Sequence, residues 1–286
     1  MIYLKNFSLL SEVQEHYCIP ELRIYNTLYP LGIFSQKKLT EITFEPVTIF
    51  YGGNGSGKTT LLNIIAQKIG ASRKSINNFG DVFDTYVGGT DFELNKRELK
   101  EIKVILSDDV FDYLIDMRAI NSKVNRRKND LANEFINNKF NVSSNDLNIF
   151  NDYEKLKDVV ASKKKTESAY IRERLRNNNI IQESNGETAL SYWQNEIQDN
   201  AIYIIDEPEN SLSAENQLKL KTYIEESARF YNCQFIIATH SPFLLSIKDA
   251  KIYDLDSIPA KQKKWTELDN VRIYYNFFKE NEQEFD

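Results

Sequence analysis

Short apolar runs alternate with amphipathic stretches along this chain, and that alternation predicts a fold class. Val47–Phe50, Ala201–Ile205 and Gln234–Ala238 are runs rich in β-branched and aromatic residues, as strands buried on both faces tend to be. Ile42–Phe44 is a further strand candidate, set off from Val47 by Pro46. After Phe50 the period changes. Leu61, Leu62, Ile64, Ile65 and Ile69 recur at helical spacing from Thr59 to Ile69, and Gly70 is a natural stop. Ala214–Ala228 is helical by the same criterion. Val82–Phe83 and Val104–Leu106 read as short strands, Gly88–Gly89 as a turn, and residues 1–50 as strands and turns throughout. Lys251–Leu255 and Val271–Tyr275 read as final strand or helix pieces. Strands alternating with helices predict an α/β fold with a mostly parallel sheet flanked by helices.

The pattern loosens over 107–180. Ser107–Asp109 is a helix start, followed by Phe111, Leu114 and Ile115 on one face and by a thin stripe at Val124, Leu131 and Phe135. Further helices are expected near Tyr153–Val160 and Ala169–Leu175. The segment reads as a helical insert, too irregular in its heptads for a long coiled-coil arm. The expected organisation is a core of 1–106 and 181–286 with an insert or lid subdomain over 107–180.

Charge sharpens that boundary. The 286 residues carry a net charge of −6, but Arg118–Arg176 is net +6, so the remainder is −12. The acidic balance excludes a protein that coats nucleic acid with its whole surface. It leaves open a nucleic-acid or acidic-protein contact through 118–176, against the alternative of a solvated helical face. Cys18 and Cys233 make no disulfide framework or metal-ligand spacing. The start lacks a signal-peptide layout and no apolar run is long enough for a membrane span, so a cytoplasmic protein is expected.

Three segments carry candidate chemistry. Gly52-Gly53-Asn54-Gly55-Ser56-Gly57-Lys58-Thr59 fits G-x-x-x-x-G-K-S/T between a strand and a helix. Glycines there let successive backbone N–H groups turn toward phosphate oxygens, and the helix N-terminus favours the same anion. Lys58 would reach the β- and γ-phosphates and Thr59 would ligate Mg²⁺. Ile202–Glu207 is a buried strand ending in two acids. Asp206 is placed to hold Mg²⁺, and Glu207 to orient or deprotonate an attacking water, unless the pair is only a solvated turn before Pro208. Phe235–Pro242 places His240 at the end of another strand, where a neutral imidazole can meet the γ-phosphate or the water.

Together these segments resemble an ABC-class ATPase, and in particular the bacterial ATPases that go under a generic AAA-family name and are akin to RecF and SMC proteins. The resemblance rests on Phe44–Thr48, Asp206–Asn210 and Phe235–Leu245, and extends to Ser107–Asp112. It implies a P-loop NTPase fold of ABC type, with Walker A at Gly52–Thr59, nucleotide contacts through Thr60, Walker B at Ile202–Glu207 and a switch histidine at His240. It further implies ATP and Mg²⁺ as ligands, with Lys58, Glu207 and His240 catalytic and Thr59 and Asp206 on the metal. Ser184, Gly186 and Glu187 resemble the Ser-x-Gly-Glu form of the signature motif, which in such proteins caps the nucleotide of a partner copy. A homodimer closed on ATP is therefore implied, together with an effector protein that the dimer gates, in defence or stress response. A DNA-repair or chromosome-maintenance ATPase binding DNA through 118–176 is the alternative. A transporter subunit is disfavoured because Leu-Ser-Gly-Gly-Gln is missing, and a non-catalytic scaffold because Lys58, Asp206, Glu207 and His240 are intact. Three departures stand out: no glutamine takes a Q-loop place, Ser213 stands where many relatives carry Asp, and the adenine-stacking aromatic stays open among Tyr25, Tyr29 and Phe34.

Overall fold

A computed structural model describes residues 1–18, 28–74, 80–141, 153–164, 166–174, 185–210 and 212–285. In chain order its elements are β1 (Leu4–Ser8), α1 (Glu12–Cys18), β2 (Glu41–Thr43), β3 (Val47–Tyr51), α2 (Lys58–Ile69), α3 (Asp81–Gly89), β4 (Asp91–Leu94), β5 (Glu101–Leu106) and α4 (Ser107–Ile136). They continue with α5 (Tyr153–Lys164), α6 (Glu167–Arg174), α7 (Asn185–Glu196), β6 (Ala201–Asp206), α8 (Ala214–Phe230), β7 (Gln234–Ala238), α9 (Pro242–Leu245), β8 (Lys251–Asp254), β9 (Lys261–Gln262) and α10 (Asp269–Glu280).

The chain divides into two compact units, Met1–Asp112 with Asn185–Asp286, and Tyr113–Ser184, the division falling within α4. The first unit holds a six-stranded sheet in the order β5-β6-β7-β3-β8-β9, parallel except for β9. Every residue of β3, β6 and β7 is buried, as expected of central strands covered on both faces. Ile202, Ile204 and Ile236 join Leu61, Leu62, Ile64 and Ile65 of α2 in one core cluster. Tyr203 and Phe235 stack at 5.6 Å. The doubly covered α/β sheet is therefore the fold that the hydrophobic pattern predicts.

A second, three-stranded antiparallel sheet has the order β2-β1-β4. One buried side chain ties it to the large sheet. Gln234 Oε1 accepts the N–H groups of Tyr3 and Leu4 at 2.9 and 2.8 Å, and its Nε2 donates to Leu4 O at 2.9 Å. The amide thereby satisfies backbone groups that β1 would otherwise bury unpaired.

The structure corrects several local readings. Val82 and Phe83 are not strand but the buried face of α3, completed by Tyr86 and Val87 one turn on. Gly88 and Gly89 end that helix rather than forming a separate turn. Residues 1–50 include the helix α1. Phe44 lies outside β2. Val271–Tyr275, left open between strand and helix, falls in the helix α10.

The second unit is described by α4, which runs 30 residues, and by α5 and α6. Leu131, Phe135 and Tyr170 form its small core. Tyr170 packs on Phe135 at 5.4 Å, donates its hydroxyl to Glu134 at 3.1 Å, and carries the Arg174 guanidinium 3.7 Å over its ring. Arg174 also pairs with Asp158. Val124 and Leu175 lie outside what is described of side chains. Cys18 and Cys233 are not bridged. No described helix is long and apolar enough to cross a membrane.

Candidate nucleotide site

The parallel sheet brings three strand ends together. The register pairs Phe50 of β3 with Ala238 of β7, and Ala238 with Asp206 of β6. The loop after β3, the acids after β6 and the histidine after β7 must therefore share one edge of the sheet, the usual place for a ligand in such folds.

Gly52–Gly57 links β3 to α2. Gly55 and Gly57 have φ of 79° and 96°, a region that side chains disfavour. Gly52 is constrained differently. A Cβ there would stand 2.4 Å from Ser56 Oγ, so only glycine lets the loop fold so closely on itself. Helix α2 begins after Gly57 with no side-chain cap and no acid in its first turn. Its leading N–H groups are thus available to an anion. Lys58 is 5% exposed. Its ammonium donates to the carbonyls of Gly52 (2.8 Å) and Gly53 (3.1 Å) and lies 3.8 Å from Glu207 Oε1.

Thr59 Oγ1 donates to Asp206 Oδ2 at 2.7 Å, across 147 residues of sequence. The other carboxylate oxygen, Oδ1, is buried and meets no hydrogen-bond donor among the described residues. Burial pushes the Asp206 carboxyl up to about 6; the hydroxyl of Thr59 and the charge of Lys58 oppose that rise, while Glu207 and Glu209 add to it. A buried, under-coordinated carboxylate oxygen beside a threonine hydroxyl is a hard-oxygen donor set, which fits Mg²⁺. Among the described residues no cluster of three or more His, Cys, Asp or Glu forms a protein-only metal site.

Glu207 follows Asp206 with φ of 46°, an uncommon conformation for a residue with a side chain. Its N–H continues the sheet by donating to Ala238 O at 2.9 Å, and Asn210 Nδ2 donates to its Oε2 at 2.9 Å. The strand and the following turn thus over-determine the strained residue, as is common at functional sites. Its Oε1 is 4.0 Å from His240 Nδ1, and the His240 side chain is half exposed.

The structure therefore brings Lys58, Thr59, Asp206, Glu207 and His240 together. Thr60 is also placed, its hydroxyl accepting from Tyr29 at 2.9 Å. Asn54 is exposed on the loop, and the buried Ser56 lies under Gly52. Gly186 and Glu187 occupy the first turn of α7, while Ser184 and Tyr25 lie outside the described residues. Phe34 is fully buried beside Gly57 and cannot offer a face to a base. Ser213 is the N-cap of α8, accepting Asn216 N.

Three participants were not read from sequence. Asp256, after β8, accepts the Gly53 N–H at 2.8 Å. Asn270, near the start of α10, donates its side-chain amide to His240 O at 2.7 Å and its own N–H to Tyr51 Oη at 3.1 Å. Glu209 is buried against Thr239 and His240. Glu209 lies within the recognised segment Asp206–Asn210, but its contacts, like those of Asp256 and Asn270, reach to other strand ends, and only the closeness of those ends marks the three.

A glycine-rich loop between β3 and an uncapped helix, joined to a buried aspartate at the end of β6, is the geometry of a P-loop nucleotide site. The chain belongs to the family described as AAA domain, putative AbiEii toxin, Type IV TA system, whose model matches residues 47–246. No curated protein matches the chain. Among solved structures it is similar to the SMC head domain from Thermotoga maritima, at 14% identity over 92% of this chain and 99% of that one, with a TM-score of 0.35. It is also similar to an Smc head domain with an extended coiled coil bound to the C-terminal domain of ScpA derived from Pyrococcus furiosus (13% identity, 97% and 100% covered, TM-score 0.40). A third is an inward-facing putative metal-chelate type ABC transporter (13%, 96% and 90%, TM-score 0.35). These likenesses are too distant to argue from.

Proposed function

We propose that two copies of this chain close head to tail on ATP and Mg²⁺, and that hydrolysis reopens them to gate a separate effector. The observation that carries this reading is the joining of Thr59, Asp206, Glu207 and His240 at one sheet edge. A scaffold that only held nucleotide would have no use for Glu207 or His240.

In this reading the N–H groups of the loop and of the start of α2 bind the phosphates, and the Lys58 ammonium exchanges its neutral carbonyl partners for phosphate charge. Thr59 and Asp206 would hold Mg²⁺, which when bound supplies positive charge at the β- and γ-phosphates. Glu207 orients the attacking water and takes its proton. His240 completes the site from the neighbouring strand. Ser184, Gly186 and Glu187, leading into α7, would cap the γ-phosphate of the partner copy with a hydroxyl and helix N–H groups. The helical unit is the partner-facing insert. The family's description, a putative toxin of a toxin–antitoxin system, supports a defence or stress role.

The test is Glu207→Gln. It should keep ATP affinity, lose hydrolysis by about a hundredfold or more, and accumulate as an ATP-bound dimer in light scattering with Mg²⁺. A variant that stays monomeric under those conditions removes the sandwich. The second reading, a DNA-maintenance ATPase, is favoured by one observation: the +6 segment Arg118–Arg176, with Arg126, Arg127 and Lys128 exposed on α4.

A further inference from the structure

Glu209 is the buried acid that the proposed cycle leaves without a task. It lies two residues past Glu207, and its side chain is 6% exposed. Its Oε1 gathers three groups from the loop after β7. Thr239 Oγ1 donates to it at 2.7 Å, the backbone N–H of His240 donates at 2.9 Å, and His240 Nδ1 stands 3.3 Å away. Its Oε2 is buried and has no hydrogen-bond donor among the described residues. The described hydrogen bonds to its carboxylate therefore come from Thr239 Oγ1 and the His240 N–H, with His240 Nδ1 in contact range beside them.

A carboxylate only accepts. Facing one, Nδ1 of the imidazole is favourable when it carries a proton and repulsive when it presents a lone pair. A neutral ring held this way has its proton on Nδ1 and its lone pair on Nε2. The same oxygen fixes the backbone N–H of His240, so ring and main chain are pinned together. Asn270 holds the His240 carbonyl. Such an arrangement sets which nitrogen faces the nucleotide and in which tautomer, the detail that decides whether an imidazole can accept or donate there.

We propose that Glu209 is a positioning residue: it acts through His240, locking the ring as the Nδ1–H tautomer with Nε2 as the nitrogen available to the bound nucleotide and water. This rests on the ATPase reading for its consequence in turnover, but not for the tautomer itself.

The chain has only two histidines, so side-chain ¹⁵N NMR of full-length protein resolves His240 once His16→Gln has assigned the other. At a pH where the ring is neutral, the wild type should show Nδ1 as the protonated nitrogen. Glu209→Gln, whose amide can also donate, should mix the tautomers. With ATP and Mg²⁺ it should lower kcat about tenfold, with KM changed less than twofold. In a His240→Ala background the same substitution should change kcat less than twofold, because its effect passes through the ring. A wild-type ring protonated on Nε2 overturns the proposal without any variant, even if Glu209→Gln fails to fold. So does an equal loss of kcat with and without His240. If the wild type hydrolyses no ATP, the ATPase reading fails, and the tautomer measurement still decides the role of Glu209.

Discussion

Lys58 and Arg126 are both cations on helices, and they differ in almost every physical respect. Lys58 opens α2 and is nearly buried, its ammonium held by two loop carbonyls with Glu207 close by. Arg126 lies along α4 in the helical unit and is exposed. The contrast extends to the two units. In the first, Lys58, Asp206 and Glu209 are buried charges, each answered by named groups. In the second, most described charges face water around a core of three side chains. Charge in the first unit is positioned, and positioned charge does chemistry. Charge in the second is solvated and sets only a field around the unit.

The sharpest way to break this comparison is Lys58→Ala. If the ammonium is the positioned charge that the phosphates require, hydrolysis should fall by about a hundred- to a thousandfold, and ATP affinity should fall with it. Loss of less than tenfold, with intact folding by circular dichroism, would put Lys58 in the same class as Arg126.

The next effect belongs to the helical unit. Tyr170 is fully buried between Phe135 and Arg174, so Tyr170→Ala should cost about 3 kcal/mol in chemical denaturation. Tyr170→Phe keeps the ring and loses the hydroxyl's bonds to Glu134 and Asn138, and should cost about 1 kcal/mol. Equal losses would mean that this unit is held by its polar contacts rather than by its small core.

Asp206 supplies a smaller effect with an unusual sign. Its carboxyl is raised from 3.8 to about 6 in the folded protein, chiefly by burial. Between those values the folded state holds a proton that the unfolded state has released. This contribution is therefore stabilising at acid pH and is lost as pH rises through about 6. At neutral pH the buried charge costs about 3 kcal/mol. Asp206→Asn should accordingly raise the Tm of the nucleotide-free protein at pH 7.5 by about 6 °C while abolishing Mg²⁺-dependent hydrolysis. The gain in Tm should shrink as pH is lowered below 6. A lower Tm at pH 7.5 would show that the carboxylate is a structural anchor and not a strained site residue.

The same contrast explains what could be read in advance. The phosphate loop, the acids after β6 and His240 were legible because the backbone geometry demands those residue types at fixed short spacings. The central strands were legible because burial on both faces leaves an unbroken apolar run. The pair Val82–Phe83 misled because two adjacent apolar residues fit either period; Tyr86 and Val87, also buried, settle it as a helix. Strand β4, Asp91–Leu94, carries no buried residue, so no run announced it. Helix α1 buries only Glu15, whose carboxylate accepts from Gly32 N and Ser35 Oγ. Glu209, Asp256 and Asn270 were illegible for a different reason. Their roles exist only between loops that the sheet order makes neighbours, and no spacing within one segment encodes that.

The smallest expected effect bears on the field-setting half of the comparison. Arg126, Arg127 and Lys128 are consecutive and exposed on α4. Replacing all three by Gln should change folding stability by no more than about 0.5 kcal/mol per site, because surface charges away from packed partners contribute little. Basal ATP hydrolysis should stay within twofold. What should change is association. If the segment meets DNA, the wild type should bind duplex with an affinity that falls steeply with salt. The triple substitution should then make that log–log slope shallower by about one for each phosphate that is no longer neutralised. If its partner is instead an acidic protein, neither wild type nor variant should show salt-dependent DNA binding at physiological ionic strength. A change in ATP turnover beyond twofold, with no DNA present, would sink the comparison itself, because charge on the helical unit would then be acting on the chemistry of the sheet edge.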